Sequence, residues 1–265
     1  MLDRAKISRI AQGIYRDHAE GRRFRRLTSE LAPASFEEAY AVQDEVHRLF
    51  REAGWGELGG HKVALTARAV QELCGVDQPA GGGVFARTIH RSPATVRLAD
   101  FVHLGLEFEL AVRLAADLPA SGAPYTRAGV AEAVGACMPA FELIEDRGAD
   151  YGDLDAFSIL TDKCWCGGAV LGPEVADWRR VDLAAAPVEL AWNGEVVDRG
   201  TTGAVMGHPL ESLDWLANLL ASRGRGMRAG EIVITGSALA TRFPEAGDEV
   251  AYRIAGLGEA TVRVA

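Results

Sequence analysis

Apolar side chains recur at helical spacing twice near the amino terminus: Ile7, Ile10, Ala11 and Ile14 within residues 3–19, and Phe36, Ala39, Tyr40, Val46 and Phe50 within residues 35–54. Ser35, followed by Glu37 and Glu38, supplies an N-cap hydroxyl and early acids where the second helix should start. Beyond the glycine-rich turn at 54–60 the texture changes to short apolar or alternating runs bounded by Gly, Pro and Asp. These predict strands at 62–65, 95–98, 105–114, 140–144, 169–171, 188–192, 231–235, 249–254 and 260–264. Helical spacing returns at 67–74, 127–137 and 209–222. Asn193-Gly194, between Leu190-Ala191-Trp192 and Glu195-Val196-Val197, predicts a hairpin, because a type I′ turn needs positive φ at both central residues. The pattern reads as an α+β chain: a helical N-terminal segment, residues 1–59, ahead of a curled, mixed, mostly antiparallel β-sheet domain, residues 60–265.

Two acids break this pattern in an informative way. Glu107 and Glu109 interrupt Leu104-Gly105-Leu106-Glu107-Phe108-Glu109-Leu110-Ala111-Val112, and period-2 geometry sends both carboxylates to one face of the strand. Glu142 interrupts a second apolar run, Met138-Pro139-Ala140-Phe141-Glu142-Leu143-Ile144. Like charges side by side on a half-buried strand repel, and a buried unpaired carboxylate costs several kcal/mol. A hard divalent cation would remove that cost, since Mg2+ and Mn2+ take carboxylate oxygens and fill the remaining positions with water or substrate. Spacing alone favours a plain solvated face.

Composition narrows the field. With 48% hydrophobic and 25% charged residues among 265, this is ordinary globular usage, and the 30 glycines indicate many turns. The net charge of −9 offers no basic surface for a phosphate backbone, and no apolar run is long enough to span a bilayer, so neither nucleic acid nor membrane is an expected partner. Arg22-Arg23-Phe24-Arg25-Arg26 is a basic island that reads as a solvated helix end or a subunit contact. Cys74, Cys137, Cys164 and Cys166 have no CxxC spacing and there is no signal sequence, which points to a reducing cytoplasm without zinc or disulfides.

Several short segments, taken in order, resemble the hydratase and decarboxylase branch of the fumarylacetoacetate hydrolase superfamily, the 2-keto-4-pentenoate hydratases of aromatic-compound degradation. They are Gly60-His61-Lys62-Val63-Ala64-Leu65-Thr66, Gly75-Val76-Asp77-Gln78-Pro79, Glu107-Phe108-Glu109-Leu110-Ala111, Phe141-Glu142-Leu143-Ile144-Glu145-Asp146-Arg147, Gly207-His208-Pro209, Trp215-Leu216-Ala217-Asn218 and Ile234-Thr235-Gly236-Ser237. The resemblance implies Mg2+ or Mn2+ on Glu107, Glu109 and Glu142, and a small 2-oxo or 2-hydroxy unsaturated acid as substrate. It implies Lys62 as a cationic partner of the substrate oxygens and Asp77 as the proton-transfer group. Leu65, Thr66, Thr235 and Ser237 fall on the substrate side, while His208 before a proline reads as a helix cap. It further implies a homo-oligomer.

One departure matters. Where relatives carry aspartate, asparagine, a small residue and serine, this chain has Asp162-Lys163-Cys164-Trp165, so an aromatic replaces the expected pocket hydroxyl. Trp165 is therefore expected to narrow the cavity or change the substrate tail it accepts, unless the segment is displaced along the chain. The readings carried forward are a hydratase making a 4-hydroxy-2-oxo acid, a 2-oxo-enedioate decarboxylase, a diketo-acid hydrolase, and a non-catalytic family member.

Overall fold

The computed structural model describes residues 2–265. Helix α1 (Arg4–Ala19) starts at Asp3, whose side chain accepts from the Lys6 N–H, and buries Ile10, Ala11 and Ile14. Helix α2 (Phe36–Phe50) starts at Ser35, whose hydroxyl accepts from the Glu38 N–H, and buries Ala39, Tyr40, Val42, Val46 and Phe50. The α-helical bonding stops at Phe50 rather than running to residue 54. A wider turn follows over Arg51–Trp55, in which Gly54 takes φ 84°, a conformation that favours glycine.

The rest of the chain supplies the strands β1 (Leu58–Ala64), β2 (Ala80–Phe85), β3 (Ile89–Arg91), β4 (Ala94–Val96), β5 (Leu104–Leu114), β6 (Val134–Glu145), β7 (Cys166–Leu171), β8 (Pro187–Trp192), β9 (Glu195–Thr201), β10 (Ile232–Ser237), β11 (Glu249–Ile254) and β12 (Gly258–Val264). Between them lie α3 (Arg68–Leu73), α4 (Arg127–Ala133), α5 (Ala156–Thr161) and α6 (Pro209–Ser222). Among the described residues the strands form two open mixed sheets rather than one. One runs β2-β1-β10-β5-β6-β7-β3 and the other β4-β12-β11-β8-β9. Their inner faces share one apolar core in which Phe108 and Phe141 of the first sheet meet Tyr252 of the second, ring centroids 5.8–6.2 Å apart.

Three local results depart from the periodicity. Residues 134–137, expected to be helical, belong to β6, because Val134 and Ala136 pair with Leu114 and Arg113 on β5 and tertiary pairing overrides local spacing. Strand β2, Ala80-Gly81-Gly82-Gly83-Val84-Phe85, carried no strand signal, yet all six residues are buried. Its glycines are tightly packed: a Cβ on Gly81 would meet Leu216 and Leu219 at 3.1 Å, and one on Gly82 would meet the Lys163 carbonyl at 3.0 Å. Close approach, not side-chain pattern, makes this strand. The third is α5, a short buried helix started by Asp155, whose side chain accepts from the Ser158 N–H.

The Asn193-Gly194 turn has φ 53° and 86°, and Trp192 pairs with Glu195 across it. The basic island is tied down inside the chain: Arg23 donates to the Gly148 carbonyl, Arg25 pairs with Asp17, and Arg26 pairs with Asp153 and Asp155. No helix among the described residues is long and apolar enough to cross a membrane.

Candidate metal centre

The β5–β6 register places Glu107 directly opposite Glu142, with Glu109 two residues along on the same face of β5. One carboxylate oxygen from each of the three residues lies within 4.8 Å of the others. Glu109 and Glu142 are fully buried and Glu107 is half-buried. Two adjacent central strands thus hold three acids on one patch of the outer face, while the alternate residues Phe108 and Phe141 fill the core.

Partners for these oxygens are few. Glu109 Oε2 accepts from the Gly236 N–H at 2.6 Å, and Glu107 Oε1 accepts from the Thr241 hydroxyl at 2.7 Å. Lys62 Nζ approaches Glu142 Oε1 at 2.9 Å, a charge pair lying outside hydrogen-bond angles, and donates to the Cys164 carbonyl at 3.2 Å. Glu109 Oε1 and both Glu142 oxygens are buried without a hydrogen-bond partner. One ammonium faces three carboxylates, so charge is left uncompensated in a buried site. Burial pushes Glu142 up to about 7, opposed by Lys62 and reinforced by Glu107. Burial, then the Glu142 and Glu107 charges, raise Glu109 well above the carboxylate range. Burial disfavours the Lys62 ammonium, but Glu142 and Glu107 outweigh it and hold its pKa above the usual lysine value.

Orphaned carboxylate oxygens converging in a buried patch fit a hard, oxygen-seeking divalent cation, which would neutralise the excess charge and satisfy the free lone pairs. Gly236 and Thr241 would orient two of the carboxylates from behind. Neither had been singled out for such a role. Gly236 carried a signal, a glycine inside a strand pattern where backbone approaches closely; its φ is 119° and Thr66 packs against its Cα. Thr241 carried none, since it lies in an irregular loop after β10.

The other expected site residues divide. Leu65, with φ 56°, packs with Ile144 and Trp165, and Ile144 is the next residue after Glu142 on the outer face of β6. Trp165 is buried, meets Phe24 edge-on at 5.2 Å and Tyr151 at 5.9 Å, and its Nε1 has no partner. It belongs to an apolar wall beside the cluster. Lys163, Cys164 and Trp165 all take left-handed φ, 56°, 50° and 57°, so they form a left-handed turn. Thr235 donates to the Leu110 carbonyl and Ser237 to the Leu239 carbonyl, so both hydroxyl protons are engaged by backbone. His208 caps α6 by accepting from the Leu210 N–H. Asp77 is exposed in the turn before β2, with no hydrogen bond or ion pair to the cluster among the described residues. Tyr151 lies close enough to feel the Glu107 charge: burial, Asp146 and Glu107 all raise its pKa, and its hydroxyl donates to Asp146.

Comparison with known proteins places this arrangement. The 2-keto-4-pentenoate hydratase of Burkholderia vietnamiensis is 31% identical over 97% of both chains. The 2-hydroxyhexa-2,4-dienoate hydratase of Comamonas testosteroni is 32% identical over 99% of both. Among solved structures, 4-oxalocrotonate decarboxylase from Pseudomonas putida G7, complexed with magnesium and adipate, superposes with a TM-score of 0.92 at 29% identity, covering 100% of this chain and 99% of that one. The model of the fumarylacetoacetate (FAA) hydrolase C-terminal family matches residues 66–265, and the chain belongs to that family.

Proposed function

We propose that this protein is a Mg2+- or Mn2+-dependent hydratase that adds water to a 2-hydroxy-2,4-dienoate, equivalently a 2-oxo-alkenoate, to give a 4-hydroxy-2-oxo acid in aromatic-compound catabolism. The observation that carries the reading is the trio Glu107, Glu109 and Glu142, the last two fully buried, with three unpartnered oxygens beside Lys62. The two hydratase relatives and the magnesium complex of the decarboxylase support it.

When bound, the cation would act as a Lewis acid at the substrate's C2 oxygen, lowering the energy of the negative charge that accumulates there. The protein's own contribution starts with Lys62, whose retained positive charge lies within reach of the same oxygens and is fixed by the Cys164 carbonyl. Leu65, Ile144 and Trp165 exclude water from one side of the substrate. Asp77 is the proposed proton-transfer group. An Asp77→Asn variant tests that assignment, because full turnover would remove it from the mechanism, whereas lost turnover with intact Mg2+ binding supports it.

The decarboxylase reading rests on the full-length structural match. The wall formed by Leu65, Ile144 and Trp165 is apolar, which suits the uncharged tail of a monocarboxylate and hence the hydratase. With Mg2+, loss of diene absorbance from 2-hydroxypenta-2,4-dienoate without carbon dioxide release is the expected result. Carbon dioxide from 2-oxohex-3-enedioate, with the dienoate untouched, would favour the decarboxylase. Glu107→Gln should abolish turnover, and unchanged activity would remove Glu107 from the site.

The same reading treats residues 1–59 as a helical extension of a catalytic unit spanning 60–265, docked through Phe50 on Phe85 and Tyr40 on Ala80. It also holds the enzyme to be cytoplasmic and homo-oligomeric; light scattering after size exclusion tests the latter.

A further inference from the structure

A cavity of about 700 Å³ opens on the other side of β6 from the glutamate cluster. Leu143 and Glu145 line it, whereas Glu142 points the opposite way by strand alternation. Its walls combine aromatic rings with positive charge. Tyr15, Phe50, Trp55 and Phe101 contribute rings, and Tyr15, Phe50 and Trp55 form a continuous edge-on series with centroids 5.3 and 4.7 Å apart. Lys163 and Arg147 are buried in the lining, and Arg87 and Arg97 are exposed residues of it, with Arg87 lying over the Trp55 ring at 5.0 Å.

The charges do not cancel. Of the two acids in the lining, Asp100 is paired with Arg97 at 2.6 Å, and Glu145 is held by the N–H groups of Val102, His103 and Arg147. Arg147 is paired with Asp162, but its Nε is buried without a partner. Lys163 has no carboxylate within 4.0 Å among the described residues. Its ammonium donates to the Cys166 carbonyl at 3.4 Å and lies 5.0 Å from the Phe50 ring centroid. The charges of Asp162 and Glu145 act on it without forming an ion pair, and it is held at the head of the left-handed turn Lys163-Cys164-Trp165, a conformation that costs about 1 kcal/mol or more per non-glycine residue. In a chain of net charge −9, the fold has spent strain to place a positive charge in an aromatic-walled pocket.

We propose that this cavity is a binding site for a small, flat organic carboxylate, its anionic end on Lys163 and Arg147 and its apolar body against Phe50 and Trp55. This site is separate from the glutamate cluster and does not need metal.

Calorimetric titration with benzoate, in EDTA and again in Mg2+, tests it. Benzoate should bind once per chain with similar affinity in both conditions and in Glu107→Gln. Benzamide, the neutral isostere, and inorganic phosphate, which has charge but no ring, should bind far more weakly. Lys163→Met should weaken benzoate by about tenfold or more, the size of a lost charge-assisted contact. Arg87→Gln, at an exposed position, should weaken benzoate by about two- to threefold, as for an exposed charge. The proposal is overturned if benzoate does not bind, if its binding requires Mg2+ and disappears in Glu107→Gln, if phosphate binds equally well, or if Lys163→Met binds benzoate like the parent.

Discussion

Stripped of divalent metal, this protein should lose stability as pH rises from about 5 to about 8, and Glu142 should account for much of the loss. In the unfolded chain a glutamate titrates near 4.5, whereas in the fold burial, with Glu107 adding to it and Lys62 opposing, pushes Glu142 up to about 7. A carboxyl that holds its proton more tightly when folded makes the native state the better proton binder between those values. Its contribution is therefore fully present below 4.5 and lost as pH rises through about 7. At 1.36 kcal/mol per pH unit the whole effect is about 3 kcal/mol, most of which falls between pH 5 and 8. For a chain of this size that corresponds to a fall of about 5 °C in melting temperature. Glu109 shifts in the same direction and adds to it. The assay is thermal unfolding by circular dichroism in EDTA across this range, for the parent and for Glu142→Gln, whose amide cannot titrate. Other titrating groups are common to both proteins, so the difference between the two curves isolates the cluster. Adding Mg2+ should raise the parent's melting temperature more at pH 8 than at pH 5.5, because only deprotonated carboxylates bind the ion. Parallel curves for the two proteins, or a Mg2+ effect independent of pH, would refute the reasoning.

Thr241→Val removes the hydroxyl that donates to Glu107 Oε1 at 2.7 Å, and should weaken Mg2+ binding by about tenfold with little change in fold, as read by metal titration. Gly60→Ala places a Cβ 2.1 Å from the Ile232 carbonyl oxygen, which should force β1 from β10 and displace Lys62; we expect a loss of several kcal/mol, about 3 or more, in urea denaturation, the scale of core overpacking and a broken strand pairing.

The local elements with strong period were legible in the chain itself. Ser35 caps α2, the Asn193-Gly194 turn takes the expected positive φ values, and Glu107 and Glu109 share a face because a strand alternates. These outcomes depend on neighbours a few residues away, and such neighbours are written in order along the sequence. What the sequence could not determine was which distant segments approach. The glycine strand β2, the left-handed turn at 163–165, the Gly236 and Thr241 donors behind the acids, and the exposure of Asp77 all follow from long-range packing. The register of β5 against β6 belongs to the same class: spacing could align two glutamates, but only the paired sheet set Glu142 opposite Glu107 and turned three separate acids into one buried, undercompensated cluster.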